Sequence, residues 1–347
     1  MSISLGTPPQ QVECQVDTAS SDLWVNAVYS KICCSNPGPC EGGVFDPKKS
    51  TTFEHINSDF DIGYSDTTRA TGDWVNDTLY FDGITLQGFP FGVSERGNAT
   101  GSLIGIGFPD NEVQAEEENS PYDNFPAMLF KRGYIASYTY SIWLNEIGKT
   151  GSIVFGGYDR AKFEGNLVTM PIIKFKEKYI YFNVELEFIE FRGRRVNGTK
   201  RKGDPLPAIL DSGSTQATLN EEMTKAVYAW LDATVQEEYG RIDCNARGIQ
   251  ETLNFGFPGI TIRVPISELV LNPSTNEEGP CYFLIDPSPG DVVLGDSVLR
   301  SAYIVHDLAR KEVSLAQAKW NVDASDIHEI SPLRPLLEPQ HLPPRGR

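Results

Sequence analysis

Two short stretches of this chain nearly repeat one another. Gln15-Val16-Asp17-Thr18-Ala19-Ser20 and Ile209-Leu210-Asp211-Ser212-Gly213-Ser214 each lead through apolar residues to an Asp, a hydroxyl residue, a tiny residue and Ser. A second pair follows in the same order, Leu103-Ile104-Gly105 and Val293-Leu294-Gly295, so that 88 residues separate Asp17 from Gly105 and 84 separate Asp211 from Gly295. Two motifs repeated in one order at nearly the same spacing predict a duplicated lobe, each copy supplying one carboxylate. A lone Asp-Ser-Gly-Ser is ordinarily a β-turn closed by its own side chain. The paired copies point instead to two carboxylates working together as general acid and general base.

The rest of the chain bounds that reading. Its 347 residues suit two domains, and lobes of this size bury a proper core. A formal charge of −17 argues against nucleic acid as a partner. No apolar run is long enough for a membrane helix. None of the four histidines, His55, His306, His328 and His341, falls in an HExxH pattern, and no Gly-x-Ser-x-Gly elbow occurs. No metal and no cofactor are expected. A two-carboxylate glycosidase would not need paired Asp-hydroxyl-small-Ser loops.

Strand-like segments dominate: Val12 to Val16, Ala70 to Phe81, Gly151 to Phe155, Tyr179 to Phe191, Gly259 to Val264 and Ala302 to Val305. Turns punctuate them at Asp46-Pro47, Asp82-Gly83, Asn197-Gly198 and Asn272-Pro273. A helix is predicted over Glu221 to Val235, capped by Asn220, and a shorter one from Phe125-Pro126 to Gly133. The expected fold is mostly β with short helices. Residues 110–123 read as an acidic loop holding Glu112, Glu116, Glu117 and Glu118. Residues 321–347, rich in proline and poor in apolar side chains, are expected to be disordered.

Six cysteines and three glycosylation sequons, at Asn76, Asn98 and Asn197, together favour an oxidising compartment. Cys33 or Cys34 with Cys40 would close a small loop around Pro37-Gly38-Pro39, and Cys244 with Cys281 would staple the second half. Cys14 is then left with the spare member of the Cys33/Cys34 pair, or both stay free as buried thiols. The opening Met1-Ser2-Ile3-Ser4-Leu5-Gly6 has neither the charged nor the apolar region of a signal peptide and reads as the inside of a strand.

The motifs resemble the pepsin-type aspartic endopeptidases, and within them the fungal secreted and cell-surface members called yapsins. The resemblance runs from Gly6-Thr7-Pro8-Pro9-Gln10 to Glu312-Val313-Ser314-Leu315-Ala316. It takes in Asp17-Thr18-Ala19-Ser20-Ser21-Asp22-Leu23-Trp24-Val25, Phe45-Asp46-Pro47, Gly151-Ser152-Ile153-Val154-Phe155-Gly156-Gly157 and Leu294-Gly295-Asp296. It implies a bilobal fold of two pseudo-two-fold-related β-lobes around a substrate cleft, residues 1–168 and 169–320, with the tail beyond. It also implies an N-terminal strand, a signal and an inhibitory prosegment, as in a zymogen, and the start of the sequence reads as truncated.

The resemblance implies a secreted or cell-surface, glycosylated monomer that hydrolyses peptide bonds of peptide or protein substrates at acidic pH. Asp17 and Asp211 are the implied catalytic pair. Thr18, Ser20, Ser212, Gly213 and Ser214 would support them. Tyr64, in Ile62-Gly63-Tyr64, would close over substrate from a hairpin flap, with Trp24 bonding its hydroxyl. Asp66, at a flap position where related fungal enzymes carry an acid, would tolerate Lys or Arg before the bond that is cut. Two positions depart from the family pattern: Ala19 replaces Gly beside the first Asp, and Ser65 replaces Gly after the flap tyrosine. Should Ala19 need positive φ, its Cβ would cost about 1–2 kcal/mol and a catalytically silent, peptide-binding homologue becomes the alternative.

Overall fold

Both repeated motifs end a short strand, and each strand lies parallel to the one that carries the matching glycine. In the first, Gln10–Asp17 runs beside Ser102–Gly105, which puts Asp17 opposite Gly105. The strand after the loop, Leu23–Asn26, lies antiparallel to Ser102–Gly105 and parallel to Ile84–Gly97. In the second, Pro207–Leu210 runs parallel to Val292–Leu294, and Ala217–Leu219 meets that same strand antiparallel at Thr218 and Val293. The duplicated sequence is therefore a duplicated topology. These relations come from a computed structural model in which residues 1–34, 40, 42–118, 121–198, 204–236, 239–272 and 280–331 are described.

The chain divides into two compact units, Met1–Tyr134 and Ile135–Arg347, and is mostly β throughout. The boundary expected at 168/169 falls inside the strand Phe163–Pro171. That strand pairs with Glu312–Ala318, and Thr139–Trp143 pairs with Ala302–Asp307, so residues 139–168 share the second unit's hydrogen bonds.

The first unit is built on a seven-stranded sheet whose first strand, Ser2–Leu5, also pairs with Arg69–Phe81. Glu54–Gly63 and Arg69–Phe81 form a hairpin, its apolar face packed into a cluster of Trp24, Phe60, Ile62, Ala70, Trp74, Ala99 and Leu103. Phe60 meets Trp74 edge-on, with ring centroids 5.0 Å apart. In the second unit a cluster of Trp143, Phe163, Leu167, Tyr303 and Val305 fills the core of one five-stranded sheet.

Several expectations are corrected. The helix capped by Asn220 spans Glu221–Leu231 and does not reach Val235: Asp232 turns left-handed at φ 55° and Thr234–Gln236 becomes a strand. The acidic loop contains a 3-10 turn, Pro109–Asn111, and a helix, Val113–Glu118. Part of the tail is ordered. Ile327–Glu329 pairs with Gly157–Asp159, Ile330 is buried in the core cluster, and the Lys162 ammonium donates to the Val322 carbonyl at 2.6 Å. Backbone pairing and one buried isoleucine hold a segment whose composition predicts disorder. Residues 332–347, the Pro37-Gly38-Pro39 turn, Pro273 and Thr199 of the third sequon lie outside the described residues.

Disulfides join Cys33 to Cys40 and Cys244 to Cys281. Cys14 and Cys34 do not pair. Cys14 faces inward from its strand, where burial raises its thiol to about 12, whereas Cys34 is exposed rather than buried.

Candidate active site

Each Asp ends its strand in a tight turn that folds back onto its own carboxylate. Asp17 is 5% exposed. Its Oδ1 accepts from the Ala19 N–H at 2.8 Å and its Oδ2 from the Ser20 hydroxyl at 2.5 Å. Asp211 is held the same way, Oδ1 by the Gly213 N–H at 2.7 Å and Oδ2 by the Ser214 hydroxyl at 2.7 Å. One backbone and one hydroxyl donor on each carboxylate fix its plane. Thr18 and Ser212, next along each chain, are buried.

The glycines 88 and 84 residues downstream explain the repeated spacing. A Cβ on Gly105 would lie 2.4 Å from the Ser21 nitrogen, and one on Gly295 would lie 2.2 Å from the Gln216 carbonyl oxygen. Both turns thus pack against backbone where only glycine fits. The Gly107 N–H donates to the Ser20 carbonyl and the Asp296 N–H to the Ser214 carbonyl, each at 2.8 Å, so the second strand buttresses each turn.

The departure at Ala19 is accommodated. Its φ is not positive, so the methyl meets no left-handed strain, and its N–H reaches the carboxylate as the Gly213 N–H does.

Around Asp17 the first unit assembles a polar and aromatic wall. The buried Trp24 indole donates to the Tyr64 hydroxyl at 2.8 Å. Tyr64 begins the hairpin tip, where its N–H donates to the Thr68 carbonyl. Ser65 and Asp66 are exposed at that tip. The Asp66 carboxylate accepts from both the N–H and the hydroxyl of Thr68. An Asp61–Arg69 ion pair braces the hairpin just behind.

Sequence reasoning missed the polar network beneath this wall. Asp22 and Glu112 are both fully buried. Asp22 accepts from the Tyr122 hydroxyl at 2.9 Å and from the Val113 N–H at 3.0 Å. Glu112 Oε2 accepts from the Tyr122 N–H at 2.7 Å, while its Oε1 is buried without a partner among the described residues. Burial, reinforced by Asp22, Asp123 and Asp110, pushes the Glu112 carboxyl up to about 9. Tyr122 meets Trp74 edge-on at 6.0 Å. An acidic run gives no sign that one of its members points inward. In the second unit, burial raises Asp296 to about 6 despite Arg300 at 3.2 Å, and the charge of Asp211 adds to the rise.

Among the described residues no group of three or more His, Cys, Asp and Glu side chains is arranged to hold a metal. Among those residues no helix is long and apolar enough to cross a membrane. His306 is fully buried against Tyr140 and Phe182, and burial lowers it to about 3.

Comparison with known proteins finds relatives among the aspartyl proteases. The family model described as eukaryotic aspartyl protease matches residues 1–318. A probable aspartic-type endopeptidase (opsB) of Aspergillus oryzae is 39% identical, over 94% of this chain and 70% of its own length. The aspartic proteinase yapsin-3 of Saccharomyces cerevisiae is 34% identical, over 94% of this chain and 67% of its own. Candidapepsin-1 of Candida albicans is 32% identical, over 95% and 83%.

Proposed function

The chain belongs to the eukaryotic aspartyl protease family and is an aspartic-type endopeptidase, and from that premise we propose that Asp17 and Asp211 act on one peptide bond as a single acid–base pair. One carboxylate takes a proton from water as the water oxygen bonds to the carbonyl carbon. The other, protonated, gives its proton to the carbonyl oxygen. Collapse of the tetrahedral species then breaks the C–N bond, and the amine leaves with a proton returned by a carboxyl. The pair must hold one proton between two carboxyls, which ties activity to acidic pH.

The observation that carries this reading is the matched setting of the two carboxylates. Each has one backbone N–H on Oδ1 and one serine hydroxyl on Oδ2, a symmetry that an incidental turn does not require. The silent, peptide-binding alternative rests on Ala19, whose unstrained φ and intact hydrogen bond weigh against it. Asp17→Asn and Asp211→Asn should each lower peptide hydrolysis at acidic pH by at least about 10²–10⁴-fold, with far-UV circular dichroism unchanged. Retention of more than a tenth of the activity by either variant would refute the paired role.

Finer features belong to the same proposal. Tyr64, held by Trp24, covers the substrate. Asp66, exposed at the tip, accepts a Lys or Arg before the bond that is cut; Asp66→Ser with an unchanged Lys-to-Phe preference would exclude it. Two disulfides support an oxidising location, secreted or at the cell surface. Intact-protein mass spectrometry before and after glycosidase treatment tests whether the sequons carry glycans.

A further inference from the structure

The segment that follows Gly105 packs directly against the Asp17 turn. The Ile106 N–H donates to the Asp17 carbonyl at 2.8 Å, and a Cβ on Gly107 would lie 2.8 Å from the Ser20 carbonyl oxygen. The buried Ser21 hydroxyl donates to the Phe108 carbonyl at 2.7 Å. The chain then turns through Pro109–Asn111, and the Asn111 side chain comes back to the catalytic loop. Its amide donates to the Ala19 carbonyl at 2.7 Å. Asn111 is itself fixed on both sides. Its N–H donates to the Phe108 carbonyl at 2.9 Å, and two residues on the Val113 N–H donates to Asp22 Oδ2 at 3.0 Å. Tyr122 ties this frame together, its hydroxyl on Asp22 and its N–H on the neighbouring Glu112.

We infer that Asn111 is a positioning residue for the reaction, holding the Ala19–Ser20 peptide so that both donors on Asp17 stay aimed at its carboxylate. The inference rests on the paired-carboxylate reading above. That peptide lies between the two donors: the Ala19 N–H on one side binds Oδ1, and the Ser20 hydroxyl on the other binds Oδ2. Because the peptide unit is planar and stiff, a rotation of it shifts both donors together, and the carboxylate they hold turns with them. The carbonyls of Asp17 and Ser20 are held by the Ile106 and Gly107 N–H groups, which no substitution removes without breaking the strand. The Ala19 carbonyl is held by a side chain, which can be changed alone.

A single net hydrogen bond is worth about two- to ten-fold in an equilibrium. Placement of reacting groups amplifies such losses, since a shift of about 1 Å slows chemistry on the order of 100-fold. Asn111 acts through the turn, while the flap is a separate hairpin. Its loss should therefore fall on kcat and leave KM nearly unchanged.

The test compares the intact wild-type chain with Asn111→Ala and Asn111→Asp on one peptide that the wild type cleaves. Both kcat and KM are measured from about pH 3 to about pH 6, with kcat referred to the folded fraction read by tryptophan fluorescence, so that lost stability alone does not register. Asn111→Ala should lower kcat about ten-fold across the range, with KM within about two-fold. Asn111→Asp can donate to the Ala19 carbonyl only while its carboxyl is protonated. Asp110 and Glu112 beside it, with Asp17 and Asp22 on the turn, keep that titration at or above the ordinary value of about 3.9. Its kcat should therefore match wild type within about two-fold near pH 3 and fall to the Asn111→Ala level near pH 6. Should Asn111→Ala fail to fold, the ratio of Asn111→Asp to wild type across pH decides alone. A wild-type kcat for Asn111→Ala, or an Asn111→Asp ratio that does not change with pH, overturns the inference while Asp17→Asn stays inactive. Activity retained by Asp17→Asn overturns the paired-carboxylate reading itself and takes the inference with it.

Discussion

Glu112 makes the first unit's stability depend on pH in a direction that can be worked out and measured. Its carboxyl titrates near 4.5 when unfolded and is pushed up to about 9 when folded. Between those values the native state keeps a proton that the unfolded chain releases, so stability falls as pH rises. The slope is about 1.4 kcal/mol per pH unit. Over the whole window the loss is on the order of 6 kcal/mol, comparable with the entire stability of many domains. Glu112→Gln removes the ionisation while keeping an acceptor for the Tyr122 N–H. Urea unfolding followed by tryptophan fluorescence at about pH 5, 6, 7 and 8 should show the wild-type protein weakening steadily and the variant much less. The buried Trp24 and Trp74 report on this unit. Parallel loss of stability in both proteins would refute the assignment, because another group would then carry the proton.

The second unit should respond in the opposite sense. His306 is lowered to about 3 from an ordinary 6.5, so its burial supports folding fully above 6.5 and that support is lost as pH falls towards 3. His306→Phe, packed against Tyr140 and Phe182, should flatten the acid side of the stability curve; an unchanged acid midpoint in urea would count against it. Trp24→Phe removes the donor to Tyr64 and should lower kcat/KM about five- to ten-fold, with little change if the flap tyrosine has no role. Ala19→Gly relieves no strain and should lower stability by about 0.4–1 kcal/mol; a gain in melting temperature would mean the methyl is strained after all. Ile330→Asp, which buries a charge in the second core, should cost about 2–4 kcal/mol by thermal melting, and no shift would show the tail segment to be dispensable.

The sequence by itself determined the pieces with short-range causes. An Asp followed by a hydroxyl, a tiny residue and Ser fixes a turn that hydrogen-bonds its own carboxylate, and its second copy betrays the duplication. Asn220 caps its helix through a side-chain acceptor three residues away, and Pro126 sits in the first turn of the shorter one, so those helix starts were legible. Tertiary structure decided what depends on distant partners. Glu112 is buried because the turn after Gly107 folds it under Tyr122, and nothing in a run of acids marks which one desolvation will reach. Cys33 rather than Cys34 reaches Cys40 through geometry that adjacent residues share in sequence but not in space. The segment 327–329 is ordered because Gly157–Asp159 offers it unpaired backbone donors and acceptors, a condition that local composition cannot express.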